Sequence, residues 1–137
     1  MKFNKLLPEL LVSNLENSLA FYTKILNFKV EFERPESKFV FLSYNGSQIM
    51  IQEITGTMGK PWITGKMEHP FGRGINFQIE TKELSEIVQS LKKNKHRIEA
   101  EPYETVYKIG NEQMKMIEIM VMDPDGYLLR FSQEIDR

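Results

Sequence analysis

The chain has 137 residues, 18 Lys+Arg against 19 Asp+Glu for a formal net charge of -1, and no cysteine. That length fits one compact domain, 1–137, burying about 65–70% of the surface its unfolded form exposes. The missing cysteines exclude disulfides, zinc–thiolate sites and thiol nucleophiles, and the near-neutral balance offers no global attraction for nucleic acid.

The opening, Met1 to Glu9, lacks the long apolar stretch of a signal peptide, and no segment is apolar enough to span a bilayer. A cytoplasmic protein without a membrane partner is therefore expected. Leu6 to Val12 reads as a strand, closed by Ser13-Asn14 with Asn14 as an N-cap. Leu15, Leu19, Tyr22 and Leu26 then form one helical stripe, which Asn27 terminates. Phe28, Val30 and Phe32 alternate with Lys29, Glu31 and Glu33, so a strand follows until Pro35 breaks it. A further strand, Lys38 to Tyr44, turns at Asn45-Gly46 into Gln48 to Glu53; the Asn-Gly pair is a hairpin signal because a type I′ turn needs positive φ at both central positions. From Ile54 to Pro70, five Gly and Pro residues (Gly56, Gly59, Pro61, Gly65, Pro70) break both periodicities and mark a linker.

A second series starts at Gly72. Ile75, Phe77 and Ile79 share one face of a strand and Asn76 and Gln78 the other. Thr81 caps a helix with the stripe Leu84, Ile87, Val88 and Leu91, and the basic run Lys92 to Arg97 suits that helix's C-terminus rather than a nucleic-acid contact. Ile98 to Tyr107 is extended, with Pro102 interrupting it. In Met114 to Met122, Met114, Met116, Glu118, Met120 and Met122 share one face and Ile117, Ile119 and Val121 the other. Asp123-Pro124-Asp125-Gly126 turns into a last strand, with Leu128, Arg130 and Ser132 opposite Tyr127, Leu129 and Phe131.

The second series repeats the first at a shift of 67 or 68 residues: Val12-Ser13-Asn14 is echoed by Ile79-Glu80-Thr81, and Lys29 to Glu33 by Arg97 to Glu101. Each half is one βαβββ module, about 4–55 and about 71–135, joined by a linker of about 56–70. A helix covers only one face of such a module's sheet, so the expected α+β architecture curls the uncovered faces of a mixed sheet around a cavity.

These paired modules, the start Leu10-Leu11-Val12-Ser13-Asn14-Leu15…Phe21-Tyr22, the segment Pro70 to Phe77 and the ending Asp123 to Phe131 resemble the glyoxalase, bleomycin-resistance and extradiol-dioxygenase superfamily, also called vicinal oxygen chelate. The likeness is nearest to its bleomycin-resistance-like branch. It implies a homodimer with ligand clefts at or near the subunit interface. It also implies, for the superfamily's enzymes, a divalent metal held by His or Glu from the first and last strands of each module. The matching positions here carry Leu7, Gln52 (with Glu53 adjacent), Gly74 and Arg130. Leucine and glycine offer no side-chain donor, and a guanidinium has no lone pair and repels a cation. No metal, no other cofactor and no catalytic residue is therefore assigned.

The candidate ligand-binding residues are Gln52, Trp62, Phe71, Arg73, Asn76, Met116, Glu118, Met120 and Arg130. Methionines adapt to irregular shapes, and Asn76, Glu118 and Arg130 could fix a ligand's orientation; ordinary core packing with mutually satisfied polar groups is the competing reading. Trp62, the only tryptophan, stacks on a flat ligand or plugs a dimer seam. Glu9 is either an edge-exposed carboxylate or a cavity-facing base, and His69 and His96 pair with no evident catalytic partner. Gly72-Arg73-Gly74 opens a strand and lacks a phosphate-loop fingerprint. The leading expectation is a metal-free protein sequestering an aromatic or partly polar small molecule, as bleomycin and glycopeptide resistance proteins do. The alternatives are a metal-dependent lyase or dioxygenase with displaced ligands among Glu9, Gln52, Glu53 and His69, or a protein with a purely regulatory role.

Overall fold

The computed structural model describes residues 1–136. Its elements run in chain order as strand β1 (Glu9–Val12), helix α1 (Leu15–Ala20), strands β2 (Lys29–Arg34), β3 (Phe39–Tyr44), β4 (Ser47–Glu53) and β5 (Asn76–Glu80), helix α2 (Leu84–Lys93), and strands β6 (Ile98–Ile109), β7 (Glu112–Met122) and β8 (Leu128–Asp136). The chain divides into two compact units, Met1–Phe71 and one beginning at Gly72.

The units share one topology. The first sheet has the order β1-β4-β3-β2 and the second β5-β8-β7-β6. In each, the first strand pairs in parallel with the last, through Leu11↔Gln52 and Gln78↔Arg130, and the other pairs are antiparallel. These two four-stranded mixed sheets make the α+β architecture of repeated βαβββ modules, as two separate sheets rather than one continuous one.

In unit one, Leu10, Val12, Val40, Leu42, Ile49 and Ile51 are buried on one side of the sheet, together with Tyr22 and Leu26. Asn14 caps α1 by accepting from the Asn17 amide at 2.8 Å, and Asn27, at φ +63°, leaves the helix in the left-handed region. The helical stripe departs from expectation after Ala20. Phe21–Ile25 is a π-helical turn, and the buried face runs through Ser18, Phe21 and Tyr22 while Leu15 and Leu19 stay half-buried. β1 is shorter than the apolar pattern suggests because Pro8 precedes it. The Asn45-Gly46 turn has φ of +47° and +89°, as a type I′ hairpin requires.

In unit two, α2 begins at Leu84 rather than directly after Thr81. The Thr81 hydroxyl accepts from the Glu83 amide at 3.0 Å, and the Gln133 side chain takes the Leu84 amide at 3.0 Å. Leu84, Ile87 and Leu91 are buried as the stripe requires. Pro102 lies within a register shift between Ala100 and Tyr103, where a strand tolerates a residue without an N–H. Ile75 is exposed, because it precedes β5 instead of belonging to it.

Candidate functional site

Period-two alternation delivers two polar faces, one in each unit. In unit two the face opposite the Ile119–Val121 core carries Glu118 on β7, Tyr103 and Tyr107 on β6, Arg130 and Ser132 on β8, and Asn76 and Gln78 on β5. Glu118 is 1% exposed. Its carboxylate accepts from the Ser132 hydroxyl at 2.5 Å, from the Tyr103 hydroxyl at 2.8 Å and from the Tyr107 hydroxyl at 2.9 and 3.0 Å, and it pairs with the Arg130 guanidinium at 3.3 Å. Arg130 also donates to Asn76 Oδ1 at 2.8 Å, to the Tyr107 hydroxyl at 2.9 Å and to Gln78 Oε1 at 3.2 Å. Burial alone pushes the Glu118 carboxyl up, but the three hydroxyls and the guanidinium outweigh it, and the net shift is downward. Burial and the hydrogen bond to this carboxylate push the Tyr103 phenol up to about 12, and Tyr107 moves in the same direction.

Asn76, Glu118 and Arg130 are thus brought together, and the competing expectation of mutual satisfaction describes them: the charge of Arg130 is already met inside the protein. Met116 is buried and Met120 half-buried, while Arg73 is exposed on the segment before β5. Sequence reading missed Tyr103 and Tyr107. They stand four residues apart in one strand, hence on one face, and Tyr103 lies opposite Glu118 in the hairpin register.

Unit one holds a different arrangement. A cleft of about 220 Å³ is lined by Glu9, Arg34, Phe39, Gln52, Lys60 and Trp62, with Ser37, Gly56, Thr57 and Met58 completing its walls. Its floor is fixed by the Gln52 amide, which donates to the carbonyls of Ser37 at 3.0 Å and Gly56 at 3.1 Å. That clamp needs glycine at 56, where a Cβ would lie 2.1 Å from the Ser37 carbonyl oxygen. Arg34 is held with its guanidinium carbon 4.0 Å from the centre of the Phe39 ring, a cation–π contact, and forms no ion pair among the described residues. Burial raises the Glu9 carboxyl pKa, with Arg34 pulling it back in part. Trp62 is 49% exposed and its ring meets no other aromatic ring among the described residues. Gln52 and Trp62 therefore share this cleft, and Phe71, the last residue of the unit, is buried. Arg34 and Phe39 were also missed; they flank Pro35, where the chain reverses between β2 and β3.

The four positions assigned to metal ligands do not fit a divalent cation. Leu7 and Gly74 carry no side-chain donor atom, Arg130 is a hydrogen-bonded cation, and Gln52, whose amide N–H groups clamp two carbonyls, would be left to offer a single neutral amide oxygen. Glu53, a possible displaced ligand, is committed elsewhere: it accepts from the Leu15 amide at 3.0 Å and pairs with Lys38 at 3.1 Å. The Leu15 amide, the Thr55 hydroxyl and Lys38 lower its pKa to about 2. His96 is likewise occupied, with Nε2 2.7 Å from the Met122 carbonyl oxygen. No group of three or more His, Cys, Asp and Glu side chains disposed to hold a metal occurs among the described residues.

TioX from Micromonospora sp. ML1 aligns with this chain at a TM-score of 0.70 and 11% identity, over 97% of this chain and 100% of its own. A virulence protein from Salmonella typhimurium gives 0.69 and 19%, over 98% and 100%. A glyoxalase/bleomycin resistance protein/dioxygenase from Alicyclobacillus acidocaldarius gives 0.64 and 15%, over 97% and 92%. At such identities the likeness establishes the fold. No curated protein matches the chain. The profile of one family does match, over residues 3–131, and with the repeated βαβββ topology it places this chain in the glyoxalase/bleomycin resistance protein/dioxygenase superfamily.

Proposed function

We propose that the protein is a metal-free small-molecule-binding protein whose ligand, planar and partly polar, enters the unit-one cleft and stacks on Trp62. The observation that carries this reading is the half-exposed indole at a concave site that also presents a carboxylate, a guanidinium and a clamped amide. Such a site joins apolar stacking area to a few convergent polar groups. The resemblance to proteins that sequester antibiotics supports binding rather than turnover, and the side chains at the metal positions do not make a ligand set for a Lewis-acidic cation. The mixed charge of Glu9, Arg34 and Lys60 favours a ligand other than a polycation. The same resemblance supports a homodimer, which light scattering at micromolar concentration tests directly.

Because Trp62 is the only tryptophan, its emission reports the cleft without labels. A screen of planar, partly polar compounds should find ligands that shift this emission and whose affinity, measured by calorimetry, falls at least tenfold in Trp62→Ala. Affinity unaffected by Trp62→Ala, or about one equivalent of tightly bound metal in the purified protein, would refute the reading.

A further inference from the structure

The carboxylate of Glu9 is half-buried, yet among the described residues it makes no hydrogen bond and no ion pair. A carboxylate removed from water without a partner is costly, and a protein ordinarily satisfies it. The obvious partner is near: Arg34 lines the same cleft and its charge is felt by Glu9. No ion pair joins the two, because Arg34 is drawn instead over the face of Phe39, 4.0 Å from the ring centre. The guanidinium's N–H groups meet no acceptor among the described residues, and Lys60 on the cleft wall is equally unpaired. The cleft therefore holds one carboxylate unjoined to either of two cations, and a half-exposed indole lines it as well. A volume of about 220 Å³ lies below the roughly 300–1,000 Å³ of drug-sized pockets.

Resting on the binding function proposed above, we propose that this cleft is a zwitterion site: it takes an aromatic amino acid or a molecule of that size and charge pattern, with the ammonium on Glu9, the carboxylate on Arg34 and the ring on Trp62. Each ligand charge meets an opposite group that lacks a partner in the free protein, so both ends gain a charge-assisted hydrogen bond without breaking an internal one. Lys60 gives the same cleft a second cation. The N–H groups of the Gln52 amide hold Ser37 and Gly56 and so keep the floor in shape.

The test is calorimetry on the full chain with three isosteric probes: L-phenylalanine, phenethylamine, which lacks the carboxylate, and 3-phenylpropionate, which lacks the ammonium. L-phenylalanine should bind at least tenfold more tightly than either. Glu9→Gln should abolish its advantage over phenylpropionate while leaving phenylpropionate affinity the same or higher. Arg34→Met should abolish its advantage over phenethylamine; Arg34→Lys, which keeps the charge, should retain part of it and guards against a folding defect in the methionine variant. Equal binding of all three probes, sensitive to Trp62→Ala, would overturn the zwitterion site and leave the planar-ligand reading standing. If none of them binds and no compound of the wider screen binds through Trp62, both readings fall.

Discussion

The two units have one topology and treat charge on the same sheet face in opposite ways. In unit two, the position in register with the first strand is Arg130, and its guanidinium closes a net over the buried Glu118 together with two tyrosines and a serine. In unit one the equivalent position is Gln52, a neutral amide turned to backbone carbonyls, while Glu9 and Arg34 stay unjoined. Internal satisfaction makes a rigid, structural face, because every donor has an acceptor already. Unsatisfied charge leaves a face on which a ligand could supply what the protein withholds, as the proposed function requires. The comparison separates stability from binding, so a substitution in unit two should alter stability and one in the unit-one cleft affinity.

The largest expected effect follows from removing the cation of unit two. Arg130→Met leaves a buried carboxylate with hydroxyl donors only and should destabilise the fold by about 3 kcal/mol, the scale of breaking one partner of a buried pair. Chemical denaturation measures this. Adding Glu118→Leu to that variant should cost less than the sum of the two single changes, since the second substitution removes the charge the first one stranded. Ligand affinity in the unit-one cleft should not change in the folded fraction. Additive single and double variants would show that the net is no unit.

A second effect appears in acid. The carboxyls of Glu118 and Glu53 are both depressed in the folded protein, the latter to about 2. A depressed carboxyl adds stability above its unfolded value of 4.5, and that stability is lost as the pH falls through the folded value. The melting temperature should therefore fall steadily below pH 4.5. Glu53→Gln, which weakens the acceptor for the Leu15 amide, should cost about 1 kcal/mol at neutral pH after allowance for its partial exposure, and should flatten the acid limb. An unchanged acid limb in this variant would remove Glu53 from the account.

At the alkaline end the same net raises the phenols. Tyr103, pushed up to about 12, keeps its proton in the folded protein beyond the ordinary value of 10, and Tyr107 shifts the same way. Their contribution is whole below pH 10 and is lost as the pH rises toward about 12. Ultraviolet titration of the five tyrosines should show a late-ionising pair, which Glu118→Gln should bring earlier. Ordinary titration of every tyrosine would break the contrast between the units.

Much of the fold is legible in the sequence because it rests on local signals: Asn14 caps α1, Asn27 ends the helical stretch that runs on from it, Asn45-Gly46 sets a hairpin, and alternation puts Met116, Glu118 and Met120 on one face. What alternation cannot carry is a change of helical pitch. The helix winds as a π-turn over Phe21–Ile25, and the spacing of Leu15, Leu19, Tyr22 and Leu26 gives no sign of it. For the candidate site, the parity of Glu118 and Arg130 is readable from period two, but their pairing is a tertiary fact set by the β7–β8 register. Arg34 and Glu9 share a cleft only because β2 folds back on β3 and β1 pairs with β4 across the sheet. Non-local pairing of that kind leaves no mark in either segment.

The smallest predicted effect carries the most information about the open unit. Glu9 has a raised carboxyl pKa, and its main cause is burial rather than a neighbour of like charge. A carboxyl raised in the folded protein favours the protonated form, so its contribution is most favourable below the unfolded value of 4.5 and declines as the pH rises through the folded value. Near pH 7 the ionised group is therefore a liability, held in place without a partner. Glu9→Gln, which keeps the shape and drops the charge, should raise stability at pH 7 by a few tenths of a kcal/mol to about 1 kcal/mol. At pH 4 the gain should vanish. A variant that gains stability at neutral pH while losing affinity for a cationic or zwitterionic ligand would identify Glu9 as a residue kept for binding at a cost to folding. If Glu9→Gln instead loses stability at pH 7, the carboxylate already has a partner, and unit one is as closed as unit two.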